Sequence, residues 1–477
     1  LSAGALLAVV LAFGLVAGLY ELHDPDVWWV AAAGRARLEH GAIPATNLFS
    51  FTDPEHPWLM HEWLLAVPYA WVLEHLGPGG FALGAVLQTS AAIGILARYF
   101  RRETERAATF LALTAVTIVL FGLRFLTLRP THVALLVALA FATVVYRGRL
   151  DARRTALLVL LELAWTNLHG SFVVGVCLIL GSALVYRSEW RARSIATGLV
   201  TLATFANPYG AREHAFVLEY FLGRGDVYRV IHAHVEDFAP LYSLSPVEKP
   251  LTFVGFFAVV GALGVLARTR EGRGRAAIVL VLALVAMKNA RHLDLAGIVS
   301  MILVAPRLDE LWRRGSATND QPWGRSLPRA LGGAALVAGA LGFAARTVES
   351  PSSVRFVTPD GTPGAAWVPL LARVPDGARL YVPFSAGGVA IWYTAPRGVR
   401  VFYDPRNDCY SADVARDAFA LEFGTADAEL TLAKYDTTYA LTPRSHPVAR
   451  ALRDSRRYRE TPGVDGDLVA FRAAEKR

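Results

Sequence analysis

From Leu1 to about Ala345 the chain passes through one apolar run after another, each about 15–20 residues, separated by short charged links. A helix needs roughly 20 such residues to cross a bilayer. Composition agrees: 54% of residues are hydrophobic and 18% charged, against about 25% charged in a soluble domain. After about Arg346 the chain turns to mixed charge, Pro and Gly. Two parts are expected. Residues 1–345 form a polytopic helical membrane domain with a large first outer loop, 21–79. Residues 346–477 form a soluble α/β domain, long enough for a small core of its own. The first run is too long, and too unlike a cleavage region, for a signal peptide.

The net charge of +8 does not point to nucleic acid. The arginines sit in short links, and no basic segment interleaved with aromatics would track a phosphate backbone. Cys177 and Cys409 fall in different parts, which argues against a disulfide or zinc pair.

Lysine and arginine collect in cytoplasmic links. By that rule "ARYFRRETER", "YRGRLDARR", "YRSEWRAR", "ARTREGRGR" and the stretch 307–329 are inside. "FGLRFLTLRP", "TNLHGS", the long segment 207–250 and "KNARH" are outside. The alternation holds if "HEWLLAVPYAWVLEHLG" lies in the interface. That run is only about 15 residues, holds Pro68 near its centre and is flanked by Glu62 and Glu74, which suits an interfacial helix. The expected spans are about 1–20, 80–98, 106–122, 130–146, 154–168, 170–186, 193–207, 250–268, 275–290, 292–308 and 328–345, some eleven helices. The N-terminus is inside and the tail outside, as expected of a multi-pass membrane protein.

With this orientation "ELHDPDVWWVAAAGRARLEHGAIP" opens the first outer loop and sets Asp24 and Asp26 at the membrane exit. The segment "DVWWVAAAGRARLEHG" resembles the Asp-acidic-x6-Ala-Arg-x-x-Leu-x-x-Gly pattern of the GT-C superfamily, with Asp26 on the leading Asp. Val27 stands where many members have a second acid; the neighbouring acid here is Asp24. "HEWLL", "LRPTH", "WTNLHGSF", "NPYG" and "ARHLDLAGIVS" are similar to a bacterial branch of that superfamily related to protein mannosyltransferase and aminoarabinose transferase-type enzymes. In the tail, "GGVAIWYTAPRGVRVFYDPRNDCY" looks like the same branch's outer domain. The resemblance implies a GT-C-like membrane glycosyltransferase that uses a polyprenyl-phosphate-linked sugar donor, with a glycan, lipid or protein as acceptor.

Such a transfer needs a base at the acceptor hydroxyl and a clamp for the departing phosphate. Asp26, with Asp24 as helper, is the expected base; the same residues also suit a helix N-cap. Trp28 and Trp29 read as interface anchors, with sugar stacking as the alternative. His61 and Glu62 are expected to orient an acceptor or assist a metal, although a carboxylate in a first helical turn is also favoured by the helix dipole. No metal spacing is evident, so metal use stays open.

Arg124, Arg129, Lys288 and Arg291 are cations on the outer side, against the orientation bias. They are suited to a phosphate through charge-assisted hydrogen bonds; snorkelling to headgroups is the plainer explanation. Arg129 and Arg291 are the chosen clamp, with His292 beside them. His169 is a lining residue or a turn histidine. Asp237, in "HAHVEDFAP", contacts the sugar or is a solvated loop charge. The tail alternates strand-like and helix-like runs, reads as an acceptor-binding or lid domain, and has "YDPRND" as its most polar cluster. A transporter or flippase, and a GT-C-like assembly subunit without chemistry, are the competing readings.

The orientation is tested by cysteine labelling. An outside-only reagent is expected to modify Ser385→Cys and leave Ser188→Cys untouched; the opposite pattern overturns the topology.

Overall fold

The computed structural model describes residues 2–19, 24–235, 238–315, 331, 334, 335, 337–341, 367–406, 408–462 and 466–474. In chain order the helices are α1 (Ala3–Gly18), α2 (Pro25–His40), α3 (Trp63–His75), α4 (Gly79–Glu103), α5 (Ala107–Phe121), α6 (Pro130–Val145), α7 (Ala152–Leu168), α8 (Val173–Val185), α9 (Trp190–Ala203), α10 (Ala211–Leu222), α11 (Asp226–His234), α12 (Pro250–Ala267), α13 (Arg273–Lys288) and α14 (Leu293–Gly315). Then follow α15 (Trp367–Leu371), β1 (Arg379–Tyr381), α16 (Gly387–Thr394), β2 (Arg400–Val401), α17 (Ala412–Phe423), α18 (Ala428–Lys434), β3 (Tyr439–Pro443), α19 (Pro447–Leu452), β4 (Tyr458–Glu460) and β5 (Leu468–Ala473).

Composition divides the chain once, near residue 345. Packing divides it differently, into two compact units. The first holds Leu1–Tyr20, Phe81–Arg212 and Val235–Pro351; the second holds Glu21–Gly80, Glu213–His234 and Ser352–Arg477. The first loop thus belongs to the same unit as the tail.

In the first unit, the expected apolar runs up to residue 308 are all helical: α1, α4–α9 and α12–α14. Residues 331, 334, 335 and 337–341, in the last expected run, are helical too. Among the described residues, two helices are long and apolar enough to cross a membrane, α4 and α12. Gly170–Val185 and Arg187–Ala203 qualify only when joined, and that pair bends by 112°. The helices α1, α5–α9 and α13 have 13–17 residues. At 1.5 Å per residue that is about 20–26 Å, short of a hydrocarbon core of about 30 Å. Helix length therefore does not by itself yield eleven crossings.

Two buried charged side chains of this unit bond to backbone groups at helix ends. The fully buried Arg193 guanidinium donates to Val145 O at 3.1 Å, Gly148 O at 2.7 Å and Ser182 Oγ at 2.9 Å, fastening α6, α8 and α9. Asp309 on α14 accepts from the backbone N–H groups of Glu105 and Arg106 at 3.1 and 3.2 Å. It supplies the start of α5 with the acceptor that Arg106, at the N-cap, does not provide.

The second unit is built on a five-stranded sheet of order β2-β1-β3-β5-β4. β2, β1 and β3 are parallel; β5 runs antiparallel to β3 and β4. The run "VAIWYT", rich in β-formers, is helical and lies in α16, because tertiary packing outweighs a weak β preference. The first loop adds to the β2 edge. Val401 N donates to Phe49 O at 2.9 Å and Phe51 N to Val401 O at 3.2 Å. A sheet edge otherwise presents unpaired backbone groups.

Side chains lock this addition. Arg406 and Asp404 form a fully buried pair, Nη2 to Oδ2 at 2.7 Å and Nε to Oδ1 at 2.8 Å. Arg406 Nη2 also donates to Asn47 Oδ1 at 2.6 Å, and Asn47 Nδ2 donates to Cys409 O at 2.9 Å. The guanidinium stands 4.7 Å from the Trp58 ring and 5.2 Å from Phe49. The Tyr410 hydroxyl donates to Asp404. Next to this, α2 and α3 meet backbone to backbone: a Cβ on Gly34 would lie 1.9 Å from Ala66 O.

Breaking a buried pair from one side costs about 3–5 kcal/mol, because the other charge stays buried. Arg406→Met is expected to lower the thermal midpoint sharply and to open both 45–58 and 404–411 to protease. Arg444→Met, which removes an exposed pair with Glu460, is expected to change stability by about 1 kcal/mol or less. Equal midpoints for the two variants would overturn the role given to Arg406.

Candidate functional site

The opening stretch folds as the sequence allows at a helix start. Pro25 sits at the first helical position and Asp24 before it, in extended conformation. Asp24 Oδ1 accepts from Asp26 N at 2.8 Å, so Asp24 is the N-cap of α2. Asp26 lies in the first turn, where the helix dipole favours an anion, and accepts from Trp29 Nε1 at 3.0 Å. The two aspartates thus have separate tasks in the fold.

Trp28 and Trp29 correct an expectation. They are 1% and 6% exposed, too buried for interface anchors or for a stacking platform open to a sugar. Trp28 packs on Tyr393 with ring centroids 5.7 Å apart, and Trp29 meets Trp58 edge-on at 6.1 Å. Val27, at the position where GT-C members often carry a second acid, is fully buried.

His61 and Glu62 precede α3 in the same unit, His61 Nε2 being 3.7 Å from Glu62 Oε1. Burial pushes the imidazole down to about 4, outweighing the Leu59 carbonyl, which raises it. At neutral pH this contact therefore joins a neutral imidazole to the carboxyl and is not an ion pair. The His61 ring also packs on Phe216 at 5.2 Å.

The remaining candidates belong to the first unit. Arg129 is extended ahead of Pro130 and starts α6. Arg124 Nε donates to Asp294 Oδ2 at 2.8 Å, which brings the link before α6 beside the start of α14. Lys288 ends α13, and Arg291 and His292 occupy the short turn between α13 and α14, with the Arg291 guanidinium 4.3 Å from the Phe238 ring. The Arg124–Asp294 ion pair thus joins the link that carries Arg124 and Arg129 to the start of the helix that follows Arg291 and His292. His169 Nδ1 accepts from Ser171 N at 3.0 Å, the arrangement of a turn histidine. Asp237 lies outside the described residues.

Two features escaped sequence reasoning. Asp294, the partner of Arg124, lies within the quoted "ARHLD", and a carboxylate two residues after a basic pair was a usable signal. In "YDPRND", the tail's most polar cluster by sequence, Asp404 and Arg406 are fully buried and spent on each other and on Asn47. Asp408 of the same cluster differs. Burial pushes its carboxyl up to about 7, with its own backbone N–H and Arg406 pulling the other way.

By sequence, no protein-family model and no curated protein matches the chain. Solved structures do match. ArnT from Cupriavidus metallidurans in the apo state has a TM-score of 0.54 at 16% identity, covering 98% of this chain and 97% of that one. The same protein bound to undecaprenyl phosphate has a TM-score of 0.53 at 15% identity, with the same coverage. The chain has a GT-C-like fold. The archaeal oligosaccharyltransferase AglB from Archaeoglobus fulgidus, solved with an inhibitory peptide and a dolichol-phosphate, has a TM-score of 0.53 at 12% identity. That match covers 99% of this chain and 74% of AglB. The GT-C-like assignment from the short motifs of the sequence is thus met at the level of fold.

Asp408 provides a pH test of the second unit. Its folded pKa is about 7 against an ordinary value of 3.8, so the folded state holds a proton that the unfolded chain releases. Stability from that proton is complete below about pH 4 and is lost as pH rises through 7. Asp408→Asn is expected to raise the stability at pH 8, by up to about 4 kcal/mol, with the gain shrinking toward pH 4. A gain independent of pH would contradict the buried acid.

Proposed function

We propose that this GT-C-like chain is a membrane glycosyltransferase that moves a sugar from a polyprenyl-phosphate-linked donor to an acceptor outside a bacterial inner membrane. The observation that carries this reading is the fold shared along 98% of the chain with ArnT, a protein solved bound to undecaprenyl phosphate. In this reading about eleven helices cross the bilayer, the N-terminus is inside, and the loop 21–79 and the tail are outside. The helices shorter than the hydrocarbon core cross with local thinning or by snorkelling of flanking residues.

Asp26 is the general base. It takes the proton from the acceptor hydroxyl as that oxygen attacks the sugar's anomeric carbon and the lipid phosphate leaves. The Trp29 N–H on Asp26 holds the carboxylate in one orientation. Asp24 helps by capping α2, which fixes the turn on which Asp26 stands. Arg129 and Arg291 contact the departing phosphate; Arg124, already paired with Asp294, supports them. Lys288, His292, His61, Glu62, His169 and Asp237 are assigned to substrate contacts.

A second reading, a GT-C-like assembly subunit without chemistry, draws support from the buried Val27 and from the commitment of Asp24 to a cap.

Substitutions separate the two. Asp26→Asn is expected to keep the fold and the affinity for undecaprenyl phosphate while transfer falls about 10²–10⁴-fold. Asp24→Asn is expected to retain most activity, because Asn caps a helix nearly as well as Asp. Arg129→Ala and Arg291→Ala are each expected to weaken undecaprenyl phosphate binding tenfold or more, and Arg154→Ala to leave it unchanged. A charge-assisted contact of roughly 1.5–3 kcal/mol sets that scale. Full transfer by Asp26→Asn would rule out the base; equal lipid binding by all three arginine variants would rule out the clamp.

A further inference from the structure

The tail was expected to bind an acceptor or act as a lid. The packing within the second unit points to a further task. At the start of α16, Gly388 has no room for a side chain: a Cβ there would lie 2.1 Å from Pro25 O and 3.3 Å from Trp28 Cβ. The backbone of α16 therefore lies directly against the first turn of α2. One residue earlier, a Cβ on Gly387 would lie 2.7 Å from Asp404 Cβ. The glycine pair thus sits between the Asp404–Arg406 pair on one side and the turn carrying Asp26 on the other.

Further along, α16 grips α2 again. Arg35 Nη1 donates to Trp392 O at 3.1 Å, and its guanidinium stacks 3.5 Å from the Trp392 ring. Tyr393 packs on Trp28. Arg35 Nε also reaches Glu74 on α3 at 2.9 Å.

We propose that α16 of the tail is the seat of the aspartate-bearing turn, with Gly388 as a positioning residue for Asp26. The seating itself is a statement about packing; its consequence for transfer rests on the reading of Asp26 as base. The magnitude is set by geometry. A Cβ at 388 must be at least about 1.3 Å farther from Pro25 O to reach ordinary contact, and the obstacle is backbone, which cannot rotate away. A misplacement of about 1 Å costs on the order of 10²-fold in rate.

The test uses the full chain in detergent and two readouts. Hydrogen exchange of amides 26–32 reports the seat. Transfer from an undecaprenyl-phosphate-linked sugar reports its consequence, with kcat and KM measured separately. Gly388→Ala is expected to speed exchange of those amides at least tenfold. It should also lower kcat about 10–100-fold and leave KM for the lipid within twofold. Arg35→Met, which keeps the glycine notch, is the milder variant should Gly388→Ala fail to fold; it shifts both readouts in the same direction and less. Glu74→Gln removes only the α3 side of Arg35 and leaves amides 26–32 at wild-type exchange.

Unchanged exchange in Gly388→Ala and Arg35→Met overturns the proposal, whatever the activity. Faster exchange with unchanged kcat supports the seat and overturns Asp26 as the base.

Discussion

A guanidinium sealed away from water holds the second unit together. Arg406 has one carboxylate, one amide oxygen and three aromatic rings around it. Neither the pair nor its setting is stabilising by default, since burying both charges costs several kcal/mol each before they attract. What the arrangement supplies is specificity. Among the described residues Asn47 is the amide drawn in, and it ties residues of the first loop to those of the tail. The added backbone pairing at Phe49, Phe51 and Val401 then has one register rather than several.

From that fastening the rest of the unit follows in order. The loop is pinned at 47–53, the glycine pair at 387–388 lies against Asp404, and α2 rests on Gly388. The first turn of α2 is therefore buttressed from outside its own segment. The first unit uses related means in apolar surroundings: Arg193 donates to carbonyls at helix ends, and Asp309 supplies an acceptor for the start of α5.

The helices were readable because an apolar run of this length has few alternatives, and their positions match the expected runs from 1 to 308. The short motifs also pointed to the correct fold. The pairing of residues 45–58 with 401–411 was not readable, because a contact between such distant segments leaves no periodicity in either. The burial of Asp404 and Arg406 in "YDPRND" was not readable for the same reason: their partner Asn47 lies elsewhere in the chain. Trp28 and Trp29 were misjudged because an aromatic pair near a membrane exit has the same composition whether it meets headgroups or a second layer of protein. Cap and base both suited the aspartates by sequence; only the hydrogen bond from Asp26 N to Asp24 assigned the cap.

The tie between Asn47 and Arg406 spans 359 positions. Ribosomes add about 5–20 residues per second, so the partner of Asn47 is made about 20–70 s after it. Through that interval the loop carries Phe49, Trp58 and an open strand edge with nothing to cover them. A ribosome that stops anywhere before residue 406 leaves it permanently incomplete.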